Sequence, residues 1–127
     1  MRLMLPLRVN NNLKNGSAGL TDQFEPALAA DTKGMLAICF YDRRRDPNNF
    51  QIDRECAKST DGGSTWTNRK ITSTTFPTEV GQDMLVAPDY MGDFDTVATD
   101  ATGQKAGFID SYASNATGHP SVMVDRP

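Results

Sequence analysis

The chain is poor in the residues from which metal centres and catalytic triads are built. It has one histidine, His119, and two cysteines, Cys39 and Cys56, which form no Cys-x-x-Cys pair. A structural zinc site takes about four Cys or His ligands, so we do not expect a Cys/His zinc site within one chain. A Ser-His-Asp or Cys-His centre would depend on His119 alone, and we do not expect one either.

Long apolar runs and an excess of positive charge are also lacking. No apolar run approaches the roughly 20 residues that span a bilayer. Residues 1–7 carry one arginine and an apolar stretch broken by Pro6, which makes a poor signal peptide. The formal net charge is −3, and the basic cluster at residues 43–45 is flanked by Asp42 and Asp46. We therefore expect neither a membrane span nor a nucleic-acid surface.

Short β-type segments separated by turn formers make up most of the 127 residues, a length typical of one domain. The predicted strands are residues 3–9, 27–30, 35–41, 52–58, 66–72 and 106–109. The run at 35–41 is continuously apolar, which is typical of a strand buried on both faces. Asp31 opens and Gly34 closes a type I turn before it. Consecutive strands joined by hairpins predict an all-β fold with antiparallel sheets.

The densest turn signal is residues 59–66, Ser-Thr-Asp-Gly-Gly-Ser-Thr-Trp. Asp61 can accept hydrogen bonds from the backbone amides that follow it. The two glycines after it supply the positive φ that a two-residue hairpin loop of type I′ or II′ requires. We expect a hairpin held by Asp61 and anchored at its exit by Trp66, the only tryptophan.

This stretch resembles the Asp-box, the bacterial neuraminidase repeat of sialidase-like β-propellers. Every defined position of Ser-x-Asp-x-Gly-x-Thr-Trp fits, at Ser59, Asp61, Gly63, Thr65 and Trp66. In that family the box is a structural turn between the outer strands of a blade, away from the active site. Similar segments occur at residues 8–10, 23–26, 40–49 and 89–92. The resemblance covers most of residues 6–110 and implies propeller blades, each a four-stranded antiparallel sheet.

A weak internal repeat agrees with successive blades. The turn at residues 31–34 recurs 69 residues later, at 100–103, and an apolar strand follows both copies. We divide this single propeller segment into the end of one blade with a loop (1–24), a complete blade with the Asp-box (25–80) and a partial blade (81–127). Because a propeller takes about 4 to 8 blades, we expect an incomplete ring. The chain would then belong to a longer propeller or complete a ring as a homo-oligomer, for instance a trimer.

The two cysteines fit a blade. If the hairpin between the strands at 35–41 and 52–58 is symmetric, Cys39 lies directly opposite Cys56. Directly opposed residues can be close enough for a cross-strand disulfide. The other interpretation is two buried thiols that act as small hydrophobic side chains, and the sequence alone favours it.

Catalytic residues stay unassigned. Sialidases of this fold bind the substrate carboxylate with three arginines and use a tyrosine nucleophile, a glutamate that assists it and an aspartate as acid/base. The family's Phe-Arg-Ile-Pro motif, which carries the first arginine, is absent. Polar residues at the ends of apolar strands are the candidates for lining a central pocket: Tyr41, Asp42, Arg43, Asp89 and Tyr90. Alternatively, Asp42 and Arg43 form an ion pair that orders the loop, and Tyr41 belongs to the core.

A calcium site is a further candidate. Asp89, Asp93 and Asp95 lie close in sequence and offer the oxygen ligands that Ca²⁺ prefers. The spacing lacks the glycine and the distal glutamate of an EF-hand loop, so solvated turn aspartates are the favoured interpretation. We expect no other cofactor.

The expected function is a sialidase-like segment, non-catalytic on its own, that binds a glycan or assembles with copies of itself. One alternative is an exo-sialidase that is active only in a completed propeller. A second is a structural subunit of an extracellular assembly, because exposed sheet edges invite added strands. The family resemblance implies an extracellular or secreted protein.

Overall fold

The computed structural model describes residues 6–14, 17–77, 95–100, 107–114 and 121–127. Within these residues the chain forms ten β-strands and no helix, which confirms the all-β class. None of the described segments is a helix that could cross a membrane. The strands are β1 (Leu13–Lys14), β2 (Ser17–Ala18), β3 (Gln23–Ala30), β4 (Leu36–Asp42), β5 (Gln51–Ser59), β6 (Thr67–Lys70), β7 (Phe76–Pro77), β8 (Thr96–Asp100), β9 (Gly107–Ser114) and β10 (Ser121–Asp125).

The first sheet is an antiparallel meander in which β3, β4, β5 and β6 are neighbours in chain order. Strand β7 pairs with the start of β5. The turn between β3 and β4 is the one predicted: the Gly34 amide donates to the Asp31 carbonyl at 3.2 Å. Asp31 Oδ1 also accepts from the amides of Lys33 and Met35, both at 2.8 Å. The Asp-first, Gly-last pattern therefore predicted this turn correctly.

The central pair of strands, β4 and β5, has the symmetric register expected from the sequence. It pairs Leu36 with Ser59 at one end and Asp42 with Asp53 at the other, and it places Cys39 opposite Cys56. The two Cα atoms are 4.0 Å apart, and the cysteines form a disulfide. The structure thus contains the disulfide, whereas the sequence favoured two free thiols. The sequence favoured thiols because it could not show that both sulfurs lie on one buried face.

The second sheet has the order β10-β9-β8 and is also antiparallel. Side chains of β9 alternate strictly, with Phe108, Asp110, Tyr112 and Ser114 buried and the residues between them half-buried. The buried set faces the first sheet. In the core between the two sheets, Tyr112 joins a cluster with Tyr41, Ile52 and Phe76, and Phe24 packs against it.

The predicted first strand is wrong where it can be judged. Residues 6–9 have no regular secondary structure, and residues 3–5 lie outside the described part of the chain. Pro6 removes a backbone donor, which disfavours a strand here. The Arg8 side chain instead bonds Asn10 Oδ1 at 2.7 Å and the Asn12 carbonyl at 2.5 Å. This segment therefore forms a side-chain-bonded loop in place of the strand.

Candidate functional site

The Asp-box turn is held by side-chain hydrogen bonds centred on one carboxylate. Asp61 Oδ1 accepts from the Ser59 hydroxyl at 2.8 Å and from the Thr65 amide at 2.9 Å. Its Oδ2 accepts from the Thr65 hydroxyl at 2.6 Å. The Trp66 indole donates to the Gly63 carbonyl at 3.0 Å. Bonds from the Thr65 hydroxyl and amide, and then from Ser59, lower the pKa of Asp61 to about 2. The prediction that Asp61 holds the turn is confirmed.

The loop itself is longer than the predicted two-residue hairpin. The last residue pair before it is Lys58 with Thr67, so residues 60–66 of the box lie between β5 and β6, and Ser59 ends β5. Gly62 and Gly63 have positive φ, 69° and 91°, as expected. The two-residue loop was wrong because the hydroxyl and carboxylate bonds of the box hold a wider turn. The box joins the third and fourth strands of the four-stranded meander.

A guanidinium is completely buried between the two sheets. Arg54 Nε and Nη2 donate to the two oxygens of Asp110 at 2.8 and 2.9 Å, a two-point pair that bridges β5 and β9. Its Nη1 donates to Asp95 at 3.3 Å. The guanidinium carbon lies 4.7 Å from the Tyr41 ring centroid and 5.6 Å from that of Tyr112. Burial disfavours the charged form, but the Asp110 bonds outweigh it and the pKa of Arg54 is raised.

Tyr41 belongs to this network and is itself fully buried. Its hydroxyl lies 3.0 Å from Asp95 Oδ1 and 3.0 Å from the Ala113 carbonyl oxygen, and it accepts from the Ala113 amide at 2.9 Å. Burial first, and then the Asp95 carboxylate, raise the pKa of Tyr41 far above its ordinary value. The side chain therefore joins the two sheets as a neutral phenol, in the core position that the sequence left as an alternative.

A second tyrosine, Tyr112, lies on the other side of the Arg54 guanidinium from Tyr41 and extends the network to β10. The Tyr112 hydroxyl donates to Asp125 Oδ2 at 2.7 Å, which links β9 to β10. Burial and then the hydrogen bond to Asp125 raise the pKa of Tyr112. The two sheets are thus joined by a continuous set of polar groups that satisfy one another.

Two further candidates, Asp42 at the end of β4 and Arg43 in the loop after it, are both paired. Arg43 forms an ion pair with Asp22 at 3.1 Å and lies 4.9 Å above the Phe24 ring. Asp42 is buried and accepts from Arg44 Nε at 2.7 Å. The predicted residues Asp42 and Arg43 therefore pair with neighbouring residues and not with each other.

The third arginine of the loop serves a pair of buried carboxylates on β5. Arg45 lies 3.0 Å from Glu55 and 3.3 Å from Asp53. Lys70 approaches Asp53 to 2.7 Å, and the hydroxyl of Thr72 donates to it at 2.9 Å. Burial alone would raise the pKa of Asp53, but the bonds from Lys70 and two threonines lower it. The three arginines of the loop at residues 43–45 therefore each pair with a carboxylate of the chain itself.

The other predicted residues divide into two groups. Asp89, Tyr90 and Asp93 lie outside the described residues. Asp95, a candidate calcium ligand, is described, and its carboxylate contacts Arg54 and Tyr41. The structure thus brings Tyr41 and Asp95 together, in a buried network and not at a surface turn.

Sequence reasoning missed Arg54 and Asp110. The available signal was the run Asp53-Arg54-Glu55 inside a predicted strand, since charged residues in a central strand need partners when buried. Alternation along β5 sends Arg54 to one face and both acids to the other. The partner of Arg54 could not be found this way, because Asp110 lies 56 residues further along the chain.

A concave surface lies beside Ile38 and Phe40 of β4, whose side chains point away from Tyr41, and it reaches Phe24, which also packs against the Tyr41 cluster. It is an apolar groove of about 290 Å³ lined by Val9, Asn10, Gln23, Phe24, Pro26, Ile38 and Phe40. Asn10 Nδ2 donates to Gln23 Oε1 at 2.7 Å at its polar rim. Of the sequence-predicted pocket residues, the structure describes Tyr41, Asp42 and Arg43, and none of these three lines the groove.

No protein-family model matches the chain, and no solved structure is significantly similar to it.

Proposed function

We propose that this chain forms two neighbouring blades of a sialidase-like β-propeller and is non-catalytic on its own, with a role in assembly. The observation that carries the proposal is the stacking of two antiparallel meanders, with the Asp-box turn between the third and fourth strands of the first. That position matches the outer-strand position of the box in the family it resembles. Radial repetition of such sheets is what builds a propeller.

The state of the candidate residues supports a non-catalytic role. A sialidase needs arginines that are free to bind a substrate carboxylate and a tyrosine that can attack the sugar. Here Arg43, Arg44 and Arg45 pair with carboxylates of the chain itself. Tyr41 is fully buried and held neutral, so its hydroxyl is out of reach of a substrate.

Glycan binding and an extracellular location belong to the same proposal. Glycan binding derives from the family resemblance. The location also has support from the disulfide, because disulfides form and persist mainly in oxidising compartments.

The enzymatic alternative can be tested directly with a fluorogenic sialoside. We expect no release of the fluorophore by the protein, and no difference between wild type and the Tyr41→Phe or Arg43→Ala variants. Release that either variant abolishes would overturn the non-catalytic assignment. Calorimetric titration with sialyllactose, and with lactose as the uncharged control, then tests binding without turnover. Absence of heat with both sugars would remove the glycan part of the proposal.

A further inference from the structure

A cavity of about 160 Å³ lies next to the Cys39–Cys56 disulfide, and its lining consists of Cys56, Lys58, Thr67, Arg69 and Pro127. The first four form two cross-strand pairs between β5 and β6, so their side chains share one face of the first sheet. That face meets the second sheet, because Cys56 Sγ lies 4.0 Å from Asp110 Oδ2 of β9. Thr67 and Arg69 are exposed, so the cavity opens to solvent along β6.

The order of the strands determines which sulfur a thiol can attack from this cavity. A thiolate breaks a disulfide by attacking one sulfur from the side opposite to the sulfur that leaves. Strands β4, β5 and β6 are neighbours in that order, so a path across the sheet meets Cys39, then Cys56 and then the cavity. Attack from the cavity is therefore directed at Cys56, with Cys39 as the leaving group. Beyond Cys39 lies Ala27 of β3, and Cys39 itself does not line the cavity.

The five lining residues include two cationic side chains and no acidic one. Lys58 Nζ donates to the backbone oxygen of Pro127 at 2.5 Å and lies 5.8 Å from the ring centroid of Phe108, which holds the ammonium group beside the cavity. Arg69 adds a second positive charge at the solvent side. An anion that enters the cavity is therefore attracted by both cations.

The other surroundings of Cys56 limit what can reach it. Cys56 is 1% exposed, so a thiol contacts it only inside the cavity. The cavity volume is several times the roughly 30 Å³ that a water molecule takes in the liquid, which leaves room for a thiol of a few heavy atoms and none for a folded protein. Asp110, which contacts Cys56 from β9, has both oxygens bonded to the Arg54 guanidinium, and this pairing offsets its repulsion of an anion.

We propose that this cavity is a thiol–disulfide exchange site for small thiols that carry a carboxylate. The thiolate forms a bond to Cys56 Sγ, the Cys39–Cys56 bond breaks, and its electron pair leaves on Cys39, which takes a proton from solvent. A second small thiolate then attacks the sulfur of the first, so that the two leave as a disulfide and Cys56 becomes a thiol. Two small thiols are oxidised and one protein disulfide is reduced. The inference goes beyond the proposed function and depends on neither blade assembly nor glycan binding.

The first test compares three small monothiols that differ in charge: anionic 3-mercaptopropionate, neutral 2-mercaptoethanol and cationic cysteamine. Loss of the disulfide in the folded protein is followed at low ionic strength by alkylation and mass spectrometry. Each rate is divided by the rate for the urea-unfolded protein, which removes differences in intrinsic thiol reactivity. We expect the anionic thiol to react on the order of 5-fold faster than the neutral one, the factor that one contact between unit charges gives in water, and the cationic thiol to react most slowly.

Two variants and a matched control show whether the cavity supplies this preference. Lys58→Met and Arg69→Met should each reduce it about two-fold. Lys33→Met removes an exposed lysine of the turn between β3 and β4, outside the cavity, and should keep it. Equal relative rates for the three thiols, a preference that survives both cavity substitutions, or a rate that does not change with thiol concentration would overturn the proposal. Arg69 is exposed, so its variant decides the question if Lys58→Met does not fold.

A second test identifies the sulfur that is attacked. Cys39→Ser keeps only the Cys56 thiol, and Cys56→Ser keeps only the Cys39 thiol, with little change in side-chain volume. The folded variants are treated with 2-sulfonatoethyl methanethiosulfonate, a small anionic reagent that forms a mixed disulfide with a thiol. We expect Cys56 to be modified in the folded protein and Cys39 only after unfolding in urea, and modification of Cys39 at an equal or higher rate would overturn the assignment. If either variant does not fold, acid quenching of wild type during reduction and peptide mass spectrometry show which cysteine carries the small thiol.

Discussion

At the scale of single residues, Asp61 has the most specific role that the structure defines. Its carboxylate accepts hydrogen bonds from Ser59 and Thr65, and these bonds hold the turn in place of backbone hydrogen bonds between strands. Asp61→Ala removes these bonds, and we expect Tm to fall by roughly 2–6 °C, by analogy with lost side-chain caps. Lys33→Ala, in the other exposed turn, is the control. An unchanged Tm together with loss of a measured activity would show that the box has a functional role instead.

The pH dependence of this turn follows from the pKa of Asp61. That pKa is lowered from 3.8 to about 2 on folding, so the ionised form stabilises the folded state. The stabilisation is present above about pH 4 and is lost as the pH falls towards 2. We expect the difference in urea midpoint between wild type and Asp61→Asn to shrink between about pH 5 and pH 2. A constant difference over that interval would contradict the ionised turn.

The two buried tyrosines give stability the opposite pH dependence, because their contribution is lost as the pH rises and that of Asp61 is lost as the pH falls. Burial and neighbouring carboxylates raise the pKa of Tyr41 and of Tyr112 above the ordinary 10.0. Their neutral forms stabilise the fold below about pH 10, and this contribution is lost as the pH rises further. In a phenolate absorbance titration, we therefore expect both to ionise only together with alkaline unfolding. Tyr41→Phe should remove one of these late phenolates, and early ionisation of both would disprove their burial.

At the scale of elements, the β4–β5 hairpin is joined covalently by Cys39 and Cys56. The bridge closes a loop of 17 residues in the unfolded chain. By chain entropy a loop of this length contributes about 3 kcal/mol to the free energy of unfolding. We expect the Cys39→Ala/Cys56→Ala variant to lose a comparable amount in urea unfolding. Thiol titration of the unfolded protein should find no thiol without reductant and two with it; two thiols without reductant would rule the bridge out.

Local chemistry explains which elements the sequence predicts. The turn at Asp31, the Asp61 turn and the register of β4 on β5 depend on residues close in sequence, and all three predictions are confirmed. The length of the Asp-box loop and the strand at residues 6–9 were wrong, because side-chain bonds replace ladder bonds there. Propensity does not weigh these competing bonds.

Local sequence rules could not predict the buried network around Arg54. Arg54 reads as a charged residue in a strand, and its burial depends on how β9 stacks over β5. A tyrosine side chain suits a core as well as a pocket, so the sequence left both positions open for Tyr41. Its hydrogen bonds to Asp95 and Ala113 place it in the core. Long-range pairing is set by the packing of whole sheets, which no local pattern encodes.

At the scale of the whole molecule, the buried Arg54–Asp110 ion pair joins β5 of the first sheet to β9 of the second. Arg54 is completely buried, and Asp110→Ala would leave its guanidinium with the longer ion pair to Asp95 and the ring contacts to Tyr41 and Tyr112. Removing one partner of a buried pair costs about 3–5 kcal/mol, because the remaining charge is desolvated without compensation. The double variant Arg54→Met/Asp110→Leu removes both charges of the pair and leaves Asp95 bonded to Tyr41 and to the Ala113 amide, and we expect it to be more stable than Asp110→Ala.

The same substitution shows whether the two sheets unfold as one unit. Because β9 meets β5 through this pair, Asp110→Ala should loosen the second sheet before the first, which keeps its disulfide and its own carboxylate–cation pairs. In amide hydrogen exchange we expect faster exchange over β8–β10 with β4 and β5 still protected. Arg69→Met, at an exposed arginine of β6, is the control and should leave exchange unchanged. Equal acceleration in both sheets would mean that the stacked sheets form one indivisible cooperative unit, and that the ion pair stabilises the whole and not the junction.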